Sequence, residues 1–172
     1  MSRPCVSQTD IDEARSRVRL LEACDGLEVT FFRDKYPALD GLIHITEPVW
    51  SVTELSNVLV AFQLKAKARE RNDTDTSIAL PISDLDWIVT LPIPTVLFVA
   101  DLKVQGIYLE WITRERTVPR YRKKPGAPPV EEPTRTFTPS EQFSSEKFKK
   151  DAVKISLDLL RERTSYATTP LA

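Results

Sequence analysis

The sequence predicts an α/β domain in which a mixed, mainly antiparallel central sheet of about five strands is flanked by helices, and three observations carry that reading. Segments rich in β-branched and other apolar residues recur along the chain: LEVTFF from Leu27 to Phe32, GLIHIT from Gly41 to Thr46, NVLVAFQL from Asn57 to Leu64 and IYLEWIT from Ile107 to Thr113. A further segment, TVLFVA from Thr95 to Ala100, is apolar without interruption, the composition of a central strand buried on both faces. Helical spacing appears at both ends, through Ile11, Ala14, Val18 and Leu21 and again through Phe148, Ala152, Ile155 and Leu159, with Leu160 beside it.

In chain order, Met1 to Gln8 is expected to be a loose tail, and the first helix is capped by Thr9 or Asp10, with Asp10 and Glu13 at capping-box spacing. Arg33 to Pro37 then reads as a polar turn. The strands from Gly41 and Asn57 form an antiparallel hairpin about a loop centred near Ser51 and Val52. Ala68 to Ser77 is charged and aperiodic, a loop. Ile78 to Ile82 is a short strand, and Ser83 caps a short helix carrying Leu85, Trp87, Ile88 and Leu91, ended by Pro92 and Pro94. Phe137 belongs to a last short strand, Ser144 or Ser145 opens the final helix, and residues 164–172 read as a second loose tail.

At 172 residues and 41% hydrophobic content, the chain has room for a single domain with a substantial core. A net charge of -1 gives no global electrostatic signature, so any affinity for nucleic acid must come from a local patch. Such a patch exists. Between Arg114 and Lys124 lie Arg114, Arg116, Arg120, Arg122, Lys123 and Lys124 against Glu115 alone, a formal local charge of +5 within a proline-rich loop spanning 114–133. Cys5, Cys24 and the single His44 have no metal-type spacing, and four glycines in all weigh against phosphate-cradling loops. MSRPCVSQTDIDEARSR lacks the apolar run of a signal peptide, and no stretch is long enough to cross a bilayer, so a soluble cytoplasmic protein is expected.

The chemically informative stretch is Leu39 to Lys67. Pairing the hairpin sets Asp40 opposite Gln63 or Lys65, with all three side chains on one face. The second strand presents Val58, Val60, Phe62 and Leu64 on one side; the other begins with Leu59 and Ala61 but ends with Gln63 and Lys65. An amide and an ammonium placed beside a core break the pattern, and such local violations gather at functional sites.

An Asp at the start of one strand followed by Gln63-Leu64-Lys65 at the end of the next resembles the PD-(D/E)xK nuclease superfamily, and within it a bacterial branch whose third motif reads Gln-x-Lys. The resemblance extends from Ile11 to Thr113. It takes in Glu13 on the first helix, Leu85-Asp86-Trp87, Leu91-Pro92-Ile93-Pro94, the apolar strand ending in Asp101, and Tyr108-Leu109-Glu110-Trp111. It implies a restriction-endonuclease-like fold and hydrolysis of DNA phosphodiesters with Mg²⁺ or Mn²⁺, in a setting such as defence against foreign DNA, restriction or repair. In that scheme Asp40 is the main metal ligand, the Gln63 amide oxygen and the Leu64 carbonyl complete the protein's share, and Glu13 binds the metal or orients a ligand water. Lys65 stabilises charge developing on the phosphate. Gln63 departs from the commoner acid and removes a negative charge. A nuclease-fold module that binds nucleic acid or a protein without cutting is therefore the alternative. A homodimer would bring two sites to a duplex, but no interface is legible in the sequence.

Overall fold

The computed structural model of the chain describes residues 7–36, 38–46, 57–67, 76–114 and 134–167. Helix α1 (Gln8–Ala23) leads into β1 (Glu28–Tyr36), β2 (Leu39–Ile45) and β3 (Val58–Lys67). After β4 (Ile78–Pro81) and α2 (Ile82–Ile88) come β5 (Thr95–Asp101) and β6 (Gly106–Ile112). Last are β7 (Thr134–Phe137), β8 (Glu141–Gln142) and α3 (Ser145–Ala167). Among the described residues the main sheet has six strands in the order β1-β2-β3-β5-β6-β8, antiparallel except for β3 and β5, which run parallel. The architecture is thus the α/β one expected, a mixed, mainly antiparallel sheet flanked by helices.

Every residue of β5 is buried, as a continuous apolar strand between two layers requires. On one face α1 and α3 cover a core of Ile43, Val60, Phe62, Val96, Phe98 and Phe148. Rings run through it from β1 to α3: Phe31 meets Phe62 edge-on at 5.4 Å, Phe62 meets Phe98 at 6.0 Å, and Trp111 stacks on Phe148 at 5.3 Å. On the other face α2 and a small antiparallel sheet of β4 and β7 cover Ala61, Leu97, Val99 and Ile112.

Several expectations are corrected. The first helix starts at Gln8, one turn earlier than Asp10 as cap would allow. Ser7 is the N-cap, its hydroxyl accepting from the Asp10 amide at 3.2 Å while the Asp10 carboxylate accepts from the Ser7 amide at 3.2 Å. The buried face of α1 is not the apolar stripe. Ser16, Leu20 and Cys24 turn inward, whereas Val18 and Leu21 are 53% and 48% exposed. Arg33 to Tyr36 continues β1 instead of turning, because a shift of register between Phe31 and Tyr36 absorbs the polar residues, and Ala38 at φ 70° makes the turn. The cap of α2 is Pro81, without a side-chain hydrogen bond, not Ser83. Its seven residues bury Leu85 and Ile88 and leave Trp87 39% exposed. Helix α3 continues to Ala167, into the stretch expected to be a tail, and Leu160 faces outward at 50% exposure. The expected loop over Ala68 to Ser77 lies outside the described residues for 68–75, as do the hairpin loop over 47–56 and the tail before Ser7.

Burial of Cys24 between α1 and the sheet pushes its thiol up to about 12. Folding therefore favours the protonated thiol, and the contribution is complete below the ordinary thiol value of 9.0 and lost as pH rises through the folded value. In a Cys5→Ser background, we expect Cys24 to resist a thiol reagent at neutral pH until denaturant unfolds the chain. Chemical-denaturation midpoints should fall between about pH 9 and pH 12, a fall that is lost in Cys24→Ala.

Candidate active site

The site forms where β2 and β3 part. Their antiparallel register runs from Ile45↔Val58 to Gly41↔Phe62, centring the connection between residues 51 and 52 and carrying Asp40 to the level of Gln63. Beyond Phe62 no further β2–β3 partner follows, while β3 continues beside β5 to Lys67↔Asp101. Among the described residues this leaves one edge of β3 without a strand over its last residues. Asp40 reaches into that gap, and its Oδ2 accepts the Leu64 amide at 2.7 Å. The carboxylate thus takes the place of the missing strand.

Backbone alternation identifies what else faces the gap. Ala61 donates to the Pro94 carbonyl at 2.9 Å and Lys67 accepts from the Leu102 amide at 3.1 Å, so odd-numbered residues of β3 bond toward β5. The even-numbered ones face β2. Since a residue in an extended strand sends its N–H and C=O to the same side, the Leu64 carbonyl faces the gap together with its amide.

Gly41 allows Asp40 to sit there. Sequence pattern alone makes Asp40-Gly41 a turn dipeptide, yet Gly41 lies within β2 under the Phe62 ring. A Cβ added to it would stand 2.2 Å from the Thr30 carbonyl oxygen and 2.6 Å from Phe62 Cζ. Only glycine lets β1, β2 and this ring close up beside the carboxylate.

A cleft of about 470 Å³ opens at the gap, and Glu13, Asp40, Gln63, Leu64 and Lys65 all line it. Gln63 does not run out into solvent: it is 4% exposed, and its Oε1 is buried with no hydrogen-bond partner among the described residues. An amide oxygen left that way is costly unless something else supplies a donor or a cation. Lys65 is half-buried, two residues on. Glu13 comes from α1, where Arg17 holds its carboxylate at 2.7 Å and lies over the Phe31 ring at 5.1 Å. Asp12 and Asp84 also line the cleft, from α1 and α2. Neither was singled out in the sequence. Asp12 sits one position before Glu13 on the same turn, and Asp84 could have been found only from the fold, because α2 and α1 converge on the same end of the sheet.

The oxygen donors suit a hard divalent cation: one carboxylate, a buried amide oxygen without a partner among the described residues, and a main-chain carbonyl facing the same gap. Among the described residues no three His, Cys, Asp or Glu side chains gather to hold a metal ion, so a cation here would lean on Asp40 and neutral oxygens. His44, between Ile43 and Ile45, lies across the strand pair from Glu28, Nδ1 3.1 Å from Oε2. Of the basic stretch, Arg114 is described and exposed; Arg116, Arg120, Arg122, Lys123 and Lys124 lie outside the described residues. Among the described residues no helix is long and apolar enough to cross a membrane. No known protein family matches the chain, and no curated protein is significantly similar to it.

Proposed function

We propose that the chain is a metal-dependent nuclease of the PD-(D/E)xK kind, acting on DNA in the cytoplasm with Mg²⁺ or Mn²⁺ held at the gap between β2 and β3. The observation that carries the proposal is the convergence of Asp40, the partnerless Gln63 oxygen, Lys65 and Glu13 on one cleft. Asp40 and Gln63 Oε1 would hold the cation, with the Leu64 carbonyl as the third protein oxygen. The cation would neutralise the phosphate and lower the pKa of an attacking water. The Asp40 carboxylate is positioned for this by the Leu64 amide, which fixes one of its oxygens and leaves the other to bind. Lys65 brings an ammonium to the same cleft, where it stabilises the charge that develops on the phosphate oxygens. Glu13, tied by Arg17, orients water at the α1 side. Arg114 and the basic residues that follow it track the nucleic-acid backbone, a contact that needs charge without sequence-specific geometry.

Gln63 supports a second reading. With no acid at this position the site holds one negative charge fewer, and the same fold could bind DNA without cutting it. The two readings separate on Gln63→Glu. Restoring the charge should tighten Mg²⁺ binding by roughly tenfold, as one added carboxylate in a half-buried site is worth on the order of 1.4 kcal/mol. Because residue 63 is buried, the variant should also unfold at lower temperature than wild type in chelator and recover when Mg²⁺ is added. Titration calorimetry and thermal melts with and without EDTA measure both. A rise in cutting alongside tighter binding would place the wild-type protein at the binding end.

The reading itself is tested by incubating purified protein with supercoiled and linear DNA in Mg²⁺, Mn²⁺ or EDTA. Cutting in either metal that stops in EDTA is expected. Retarded DNA without cutting in both metals would favour the binding module, and neither cutting nor retardation would overturn the proposal.

A further inference from the structure

The apolar stripe of α1 that the sequence displays so clearly is not in the core. Ala14, Val18 and Leu21 all point to solvent, and Val18 and Leu21 are two of the six large apolar side chains that the described residues leave exposed. Ile11, one turn earlier on the same side, is half-buried. The inner side of the helix carries Ser16 and Leu20 against the sheet and Glu13 and Arg17 at the cleft. Two faces of one helix therefore have two tasks, and only the inner one is filled by the fold. A stripe recurring at three- and four-residue intervals is the pattern of a helix that packs against another helix.

We propose that the outer face of α1 is the interface with a second copy of this chain, the two helices packing antiparallel about a two-fold axis near residues 18 and 19. Charge selects this occupant. Arg15 and Glu22 flank the stripe on the same side, seven residues apart, which is two helical turns. A two-fold axis perpendicular to antiparallel helices keeps each flank facing its own counterpart, so Arg15 of each copy meets Glu22 of the other and the pair forms twice. Arg15 has no ion pair among the described residues, while Glu22 Oε2 accepts from Arg19 at 2.8 Å and keeps a second oxygen for a partner. The centre of the contact is then Val18 against Val18, with Leu21 and Ala14 on either side. One helix pair is small beside the interfaces of stable dimers, so the association is reversible and concentration-dependent. The proposal does not rest on the nuclease reading, but it bears on it: the cleft lies on the inner face of the same helix, so dimerisation sets two clefts about one two-fold axis.

Sedimentation of the full chain from about 1 µM to several hundred µM tests this. The weight-average mass is expected to climb from monomer toward dimer. In Val18→Glu/Leu21→Glu it should stay at monomer with an unchanged unfolding temperature, since both side chains are solvent-facing. Arg15→Glu or Glu22→Arg alone should weaken the dimer by about tenfold, because each change repeats by symmetry and sets like charges together. The Arg15→Glu/Glu22→Arg double swap should restore it. A wild type that stays monomeric throughout, a dimer that survives Val18→Glu/Leu21→Glu, or a double swap no tighter than the single ones would each overturn the proposal.

Discussion

Lys65→Ala is expected to reduce metal-dependent DNA cutting by about 10²- to 10³-fold, the loss seen when one preorganised donor to a developing negative charge is removed. Lys65 is half-buried at the end of β3 and lines the cleft, and no hydrogen bond of the described fold passes through its side chain. The variant should therefore fold and bind Mg²⁺ as the wild type does. Asp40→Asn separates the other half of the site. Its amide oxygen can still accept the Leu64 amide, so the splayed end of β2 stays anchored while the charge that would attract a cation is gone. We expect Asp40→Asn to lose metal affinity with little change in stability, and Asp40→Ala to lose both. Single-turnover cutting rates, Mg²⁺ titrations and melting curves of the three variants give the comparison. Equal cutting by Lys65→Ala and wild type would remove the ammonium from the chemistry.

Gly41→Ala is expected to be the most destabilising single change near the site. The added methyl would meet the Thr30 carbonyl oxygen at 2.2 Å and the Phe62 ring at 2.6 and 2.8 Å. The ring is packed edge-on between Phe31 and Phe98, and the Thr30 oxygen is backbone in the neighbouring strand. Neither can yield without disturbing the sheet, so the cost should reach about 3 kcal/mol or more, the upper part of the range for overpacking. For a chain of this length that is a fall of about 10 °C in melting temperature. Because β2 would shift relative to β3, the Asp40–Leu64 contact should weaken as well, and Mg²⁺ affinity should fall further than stability alone explains. A variant that melts within a degree or two of wild type would contradict the packing described for Gly41.

Much of this arrangement was legible in the sequence where one physical term dominated. The strands were readable because their apolar content is nearly continuous: β5 is an unbroken apolar run buried throughout, and β3 is apolar from Val58 to Phe62, with only Leu59 exposed before Gln63. The extents of the two β-rich segments, Gly41 to Thr46 and Asn57 to Leu64, centre the hairpin near residues 51 and 52, and the observed pairs have the same centre. The inner face of α1 was not legible. The side of α1 that meets the cleft is polar, at Glu13, Ser16 and Arg17, while the opposite face carries an apolar stripe, so periodicity points to the wrong side. Arg33 to Pro37 has the polarity of a turn, but an edge strand with a register shift tolerates polar residues, and β1 runs on to Tyr36. The β4–β7 sheet joins segments more than fifty residues apart, a pairing no local pattern encodes. Within the candidate site, Asp40, Gln63 and Lys65 could be picked out because they interrupt apolar strands. Asp12 and Asp84 sit on helices where an acid is ordinary, and only the convergence of α1 and α2 brings them to the cleft.

The most direct test of the account is to locate the cation. Substoichiometric Mn²⁺ added to ¹⁵N-labelled protein broadens amide resonances close to the ion, and the account predicts that Gln63, Leu64, Lys65 and the α1 turn around Glu13 broaden first in the wild type and are spared in Asp40→Asn. Broadening centred elsewhere, for example around Glu141 and Asp151 beside Lys147, with the end of β3 unaffected, would contradict a metal site at the gap between β2 and β3.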